Sequence, residues 1–586
     1  MTSPRVAFVC CLLLAPLWLM TMFDRGLWTP DEPREADISW NMSVQADRAV
    51  PSLAGRPFLE KPPLAYWASA VATKWFPRDA AALRAPNFLY ACLVTLAIVA
   101  LAFSAGRVAA WVAALASGTF LLSLQVASWL ATDAAMMVGV TAALLGFYRG
   151  LEAPPGRAKL AWYALMHAAM AWSFMAKGPG AWLVPLTAAA GVIALERNWR
   201  ELARWELWFP LLIPVGGIGA WLLAVSNGPN GAHNLAMLLW YNVAGRVVEL
   251  NAPDAAAYAQ GHQNWPGKYL LQLPLYLAPW SFLFVAALRR AWFAVRNPNG
   301  RLWRLAVCAC LVPLAVLSFA STARGIYAAP ALPAAALLIG IWFAEYHGSM
   351  DRFDRAMLRA TYVLVVVLAV VLLAASVLVA IAEPATRGLL FFFAVAMLTA
   401  AVALAVSLGY LRSGIWQSYL ATTYAGFVLA VLAACALLLP GIDRWQDYAS
   451  IIHQIDGDAD ERDLDLYEPD ETTIAVVDLY APRHRGRWHI IEVGHTQAVA
   501  ASAMSSHAIL VLLPGHAAGS FSHALRGWGI EMKSPSSARQ LDDLEQRYGL
   551  RVERLYEMPE GRRYALLTSS SAARRAPSVP SAMSPW

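Results

Sequence analysis

Along most of this chain the apolar positions neither alternate nor leave a polar face between them. They run on for about twenty residues at a time, the length a helix needs to cross a bilayer. Such runs fall near 5–23, 82–106, 109–125, 127–148, 159–176, 179–195, 206–226, 269–288, 304–320, 327–346, 358–382, 388–409 and 416–440. They predict about thirteen spans, with ends good to a few residues. After Pro440 the pattern shifts to short period-two runs at Thr473–Tyr480, Trp488–Val493 and Ala508–Leu513. A helical pattern follows over Ala538–Tyr548 and a last strand over Tyr564–Thr568. The fold class expected is a polytopic α-helical membrane protein over 1–440 with a C-terminal soluble α/β domain over 441–568. Residues 569–586, rich in Ser, Ala and Pro, read as a disordered tail.

Composition agrees: 586 residues that are 59% hydrophobic and only 14% charged exclude an ordinary soluble protein of this size. The first run follows Arg5 like a signal peptide, but no small-x-small cleavage site comes after it, so it reads as a retained anchor. The charges then orient the spans. With the N-terminus in the cytoplasm, Arg107, the Arg149–Lys159 group, Arg197 to Arg204, Arg289 to Arg301, Arg352 to Arg359 and Arg412 all fall in cytoplasmic turns. The odd number of spans puts the C-terminal domain outside, together with loops near 24–81 and 227–268.

The net charge of +6 reflects this orientation, because no basic stripe with interleaved aromatics suggests nucleic acid as a partner. No Walker or Rossmann glycine pattern occurs either. The six cysteines all sit in apolar runs and read as packing residues. A group transfer on the outer face therefore needs a donor that carries its own activation.

Against this apolar background one stretch is dense in charge. Trp28-Thr-Pro-Asp-Glu-Pro-Arg-Glu-Ala-Asp37 carries Asp31, Glu32, Arg34, Glu35 and Asp37, and Phe58-Leu-Glu-Lys-Pro-Pro-Leu-Ala-Tyr-Trp67 adds Glu60, Lys61 and Tyr66. Thr29 and Glu32 have capping-box spacing and Pro30 suits a first helical position, so a helix is expected to begin there. That alone would account for the acids as helix-start residues, and Lys61 could be an interfacial lysine. Lys177, Arg246 and Arg324 also fall at outer ends of spans, where interfacial or helix-end roles are the simple alternative. Carboxylates and cations converging on one membrane face suit an anionic lipid headgroup. If a sugar is joined to its phosphate, the cations stabilise the leaving group and a carboxylate orients or deprotonates the nucleophile. Asp133, Tyr327 and His262 complete the candidate set. Glu60, His233 and His262 are the candidates for a divalent metal, although no ligand spacing supports one.

These residues carry a resemblance. Both charged stretches, with Ala176-Lys-Gly-Pro179, Gly261-His-Gln-Asn-Trp-Pro266 and Ala323-Arg-Gly-Ile-Tyr327, are similar to the GT-C glycosyltransferases, most of all the bacterial aminoarabinose transferases of lipid A and their protein O-mannosyltransferase relatives. The resemblance implies inverting transfer of a sugar such as 4-amino-4-deoxy-L-arabinose from undecaprenyl phosphate to an acceptor at the periplasmic face of the bacterial inner membrane, such as a lipid A phosphate. It implies Asp31 as the catalytic carboxylate, Glu60 beside it, and Lys61 and Arg246 as phosphate binders, with Arg324 where the family usually has a lysine. A protein or another envelope glycan stays open as acceptor. A secondary transporter and an inert lipid-binding protein are the rivals from other classes; a transporter would place its charges near mid-membrane in repeated halves, and neither is seen here.

Overall fold

The computed structural model describes residues 2–23, 25–76, 79–239, 267–320, 324–491, 499, 501, 502, 507–513, 541, 544–559 and 561–569. The chain forms two compact units: Met1–Arg25 with Ile38–Pro440, and Gly26–Asp37 with Gly441–Trp586. The change of character after Pro440 thus coincides with a unit boundary, whereas the acidic stretch, expected within the membrane part, groups with the C-terminal unit.

The first unit is helical. Its elements are α1 (Ser3–Met22), the greater part of α2 (Glu32–Val44), a hairpin of β1 (Ser52–Leu53) and β2 (Arg56–Pro57), α3 (Leu64–Ala72), α4 (Ala80–Ala102), α5 (Arg107–Thr119), α6 (Leu121–Ser128), α7 (Asp133–Glu152), α8 (Arg157–Lys177) and α9 (Leu183–Glu196). After these come α10 (Leu212–Asn227), α11 (Lys268–Tyr276), α12 (Ser281–Ala294), α13 (Arg301–Ser318), α14 (Leu332–Tyr346), α15 (Arg352–Ala382), α16 (Leu390–Ser413) and α17 (Trp416–Trp445).

Among the described residues 10 helices are long and apolar enough to span a membrane, or 12 if two bent pairs each count as one span. About thirteen were expected. One bent pair is α5 with α6, at 65°, and the other is α11 with α12, at 118°. The remaining expected span is α8, whose 21 residues would reach across but include Arg157, Lys159, His167 and Lys177.

Close helix approach organises this unit. On α7, Gly139 and Gly146 face α8 so closely that a Cβ would come within 2.5 Å of the Ala169 carbonyl oxygen and 2.7 Å of the Met166 nitrogen. Small residues at such spacing let two apolar helices pack by backbone contact, which matters where lipid is as apolar as any side chain. Several buried charges are paired: Lys159 donates to Glu201 at 2.7 Å, with the Tyr163 hydroxyl on the same oxygen at 2.6 Å. Arg301 and Arg304 both hold Glu196. The start of α15 is a capping box between Asp351 and Asp354, to which Arg289 and Arg290 are ion-paired.

The second unit carries α18 (Tyr448–Ala459), β3 (Leu464–Tyr467), α19 (Glu471–Tyr480), β4 (Trp488–Ile491), β5 (Ala508–Leu513), β6 (Leu550–Glu557) and β7 (Arg563–Ser569). The strands form one sheet in the order β4-β3-β5-β7-β6, with β3 parallel to both neighbours and β7 antiparallel to both of its own. Leu510 and Leu566 face the core with α18 and α19, while Ile509, Val511 and Leu567 fill the opposite core. Burial on both faces explains the unbroken apolar run of β5.

The strand expected at Thr473–Tyr480 is instead α19. The Asp470 carboxylate caps the Thr473 amide at 2.8 Å, and the parallel pair β3 and β4 needs a crossover there. Strands β3 and β6 were not expected. Of the helix expected over 538–548, residues 541 and 544–548 are described and helical; the tail expected at 569–586 lies, beyond Ser569, outside the described residues.

Candidate functional site

The acidic stretch is built into the second unit by hydrogen bonds. Asp443, at the end of α17, accepts from the Gly26 amide at 2.6 Å and the Trp28 indole at 2.9 Å. Gln446 accepts from the Thr29 amide at 2.7 Å and from its hydroxyl at 3.1 Å. The expected capping box is therefore rearranged: α2 starts at Glu32, whose carboxylate accepts from the Trp28 amide at 2.9 Å, and Pro33 rather than Pro30 occupies the first turn. Thr29 is drawn away to Gln446.

Arg34 organises the carboxylates around it. Its guanidinium lies 3.2 Å from Asp31, 3.4 Å from Glu35 and 2.5 Å from Glu471 at the start of α19. Burial disfavours the charged form of Arg34, yet Glu35, Glu471 and Asp31 outweigh it and raise the pKa above its ordinary value. Asp31 thus has an arginine on one side, and its side chain is 20% exposed. Nothing local in the sequence could pair Arg34 with a glutamate 437 positions on.

In the first unit three candidates meet. Asp133 is the first residue of α7 and Lys177 the last of α8, each favoured there by the helix dipole, and the two form an ion pair. The Lys177 ammonium also sits 4.9 Å from the centre of the Tyr327 ring. Beside them the Thr132 hydroxyl is buried without a hydrogen-bond partner among the described residues.

The chain after Lys177 turns at Gly178, with φ +83°, and a Cβ there would lie 3.9 Å from the Pro62 ring, so the Lys61-Pro62-Pro63 turn adjoins the end of α8. Glu60 and Lys61 are half-buried between the hairpin and α3, and Tyr66 is buried within α3. Trp67 and Trp221 pin the preceding loop by donating to the Arg48 and Ala49 carbonyls. Arg324 enters the turn Gly325–Ala331 with its carbonyl accepting from the Tyr269 hydroxyl at 2.8 Å. Lys61, Lys177 and Arg324 therefore come from turns that gather at one end of this unit.

Arg246 and His262 lie outside the described residues. His233 is exposed on the short helix Gly231–Ala236. Among the described residues no three His, Cys, Asp or Glu side chains are placed to hold a metal ion.

Bent spans, a charged hairpin loop and a mixed-sheet domain together define a polytopic membrane protein of the GT-C fold. The chain resembles the bacterial aminoarabinose transferases in particular. It is 29% identical over 325 residues to the undecaprenyl phosphate-alpha-4-amino-4-deoxy-L-arabinose arabinosyl transferase of Pseudomonas paraeruginosa, covering 55% of this chain. A transferase of the same description from Serratia proteamaculans is 26% identical over 380 residues, 64% of this chain and 66% of the relative. The match spans only 57% of the length of the Pseudomonas relative. The family model for dolichyl-phosphate-mannose-protein mannosyltransferase matches residues 60–215. ArnT from Cupriavidus metallidurans, solved bound to undecaprenyl phosphate, shares the fold with a TM-score of 0.70 over 97% of this chain and 98% of its own, at 16% identity.

Proposed function

We propose that this protein is an inverting glycosyltransferase that moves a sugar, 4-amino-4-deoxy-L-arabinose by its relatives' descriptions, from undecaprenyl phosphate to an acceptor at the outer face of the bacterial inner membrane. The observation that carries the reading is the sequence similarity to the aminoarabinose transferases. The charge chemistry agrees with it. Lys61, Arg246 and Arg324 hold the donor phosphate and neutralise the charge that develops as the C–O bond to the sugar breaks. Lys177, ion-paired with Asp133, serves the same phosphate.

Asp31 acts on the acceptor. A lipid A phosphate is already anionic near neutral pH and needs orientation, whereas a hydroxyl needs a base; the Arg34 pairing holds Asp31 in place for either. A divalent metal, if one takes part, would have Glu60 among its ligands. The N-terminus is cytoplasmic and the C-terminal domain periplasmic in this reading.

The test is mass spectrometry of lipid A from a host lacking its own aminoarabinose transferase but supplied with the donor pathway. An aminopentose mass gain with the parent chain and none with well-expressed Asp31→Asn is expected. No gain from the parent, with donor present and protein inserted, moves the acceptor to another glycan or a protein and overturns lipid A.

A further inference from the structure

A cavity of about 260 Å³ lies within the first unit, along α5 and α17 and far from the charged turns. Val108, Trp111, Val112 and Leu115 face it from α5, at the i, i+3, i+4, i+7 spacing of a single helix face. Leu420 and Tyr424 face it from α17, and Phe343 of α14 from the third side. From Arg107 to Ala116 the groove extends about 13 Å at the helical rise per residue. That is a narrow slot matched to one hydrocarbon chain lying parallel to the helices, and its half-buried walls leave it open along one edge.

Its polar end has one sign of charge. Arg107 is exposed at the start of α5 and has no hydrogen bond or ion pair among the described residues, and no carboxylate lines the cavity. Gln417 stands opposite. The His347 Nδ1–H donates to the Phe343 carbonyl at 3.0 Å, which leaves Nε2 as an acceptor for the Gln417 amide at 3.3 Å. One Gln417 N–H and its carbonyl oxygen stay available. No side chain caps the first turn of α5, so an anion beside Arg107 would also meet backbone N–H groups. This end adjoins the C-terminal end of α14, while Arg324 and Tyr327 precede the N-terminal end of the same helix. About 22 Å of α14 therefore separates the two sets of polar groups.

We propose that this groove is a second lipid site, which takes one acyl chain of an anionic glycerophospholipid, with its phosphate on Arg107 and Gln417. Charge complementarity selects the occupant: a zwitterionic headgroup would bring a cation to a place that already holds an uncompensated arginine. A prenyl phosphate held by the Lys61, Lys177 and Arg324 turns would present its phosphate at the other end of α14.

Native mass spectrometry of the purified full chain, delipidated and then returned to mixed phosphatidylglycerol and phosphatidylcholine, tests this directly. The parent should retain one phosphatidylglycerol in at least fivefold preference over phosphatidylcholine. Arg107→Gln should bring that preference to about unity, and Val112→Trp, which fills the slot, should lose retention of both lipids. Lys61→Ala should keep the parent pattern. No preference in the parent, or a parent-like pattern in both Arg107→Gln and Val112→Trp, overturns the site. Undecaprenyl phosphate competing phosphatidylglycerol off the parent and off Lys61→Ala alike overturns the assigned occupant.

Discussion

At the scale of the residue, the acidic stretch works as a set organised by one arginine. Arg34 reaches Asp31, Glu35 and Glu471 together, so removing any acid leaves the others to share it. Glu471→Gln should therefore lower transfer severalfold by loosening the position of Asp31 while leaving protein yield unchanged. A double-mutant cycle with Arg34→Gln on transfer rate should show coupling of about 0.5–3 kcal/mol, the range for groups in direct contact. Additive losses would remove Glu471 from the set. Asp31→Asn is the harsher change; a lost acid–base or orienting group lowers turnover by roughly 10²–10⁴-fold, with donor retention on the protein intact. Lys177→Met leaves Asp133 buried without its cation, and the expected result is a drop in both donor retention and melting temperature. Donor retention is read by mass spectrometry of the purified protein, and melting by differential scanning fluorimetry.

At the scale of the element, backbone contact and capping decide most. Gly146→Val places atoms where the Met166 backbone already stands, so α7 and α8 must separate; the protein should melt several degrees lower or fail to insert, whereas the same change at Gly219 of α10, which has open space around it, should be neutral. The capping box of α15 has a pH signature. The Asp354 amide and the Arg289 guanidinium hold the Asp351 carboxyl down at about 2. Because the folded-state value lies below that of the unfolded chain, the stabilisation is complete above about pH 4 and is lost as pH falls toward 2. The melting temperature of the parent should exceed that of Asp351→Asn by a constant margin from pH 5 to 8, and the margin should close on further acidification. A margin that widened in acid would contradict the assignment.

At the scale of the whole molecule, orientation is the property with the widest consequence, since it fixes which side of the membrane the chemistry faces. Positive charge gathers in alternate turns along the chain, and this bias predicts that the domain after Pro440 lies on the side that lacks it. Ser450→Cys, on the exposed face of α18, should react in intact cells with a membrane-impermeant maleimide that crosses only the outer membrane. A cysteine replacing Arg412 should stay unlabelled until the inner membrane is opened. The reverse pattern would invert the topology.

The sequence by itself determined the membrane class, nearly all of the spanning segments, the change of character after Pro440 and the residue types of the candidate site, because each is written in local pattern. Twenty apolar residues cannot stay in water, and charges cannot enter a bilayer without cause. It also gave strands β4, β5 and β7 close to their observed places. It misread α19 as a strand, since a run of β-branched residues carries no sign of the crossover that the parallel pair β3 and β4 imposes. The thirteenth expected span, α8, is charged at both ends and falls outside the 10 to 12 described helices that pass by apolarity and length; its Lys159 is paired with Glu201 in another turn. What only the tertiary structure decided are the pairings over long separations: Arg34 with Glu471, Gly26 and Trp28 with Asp443, and Lys177 with Asp133 and Tyr327. A charge announces itself in sequence, but its partner is fixed by how distant elements pack, and that information is spread over the whole chain.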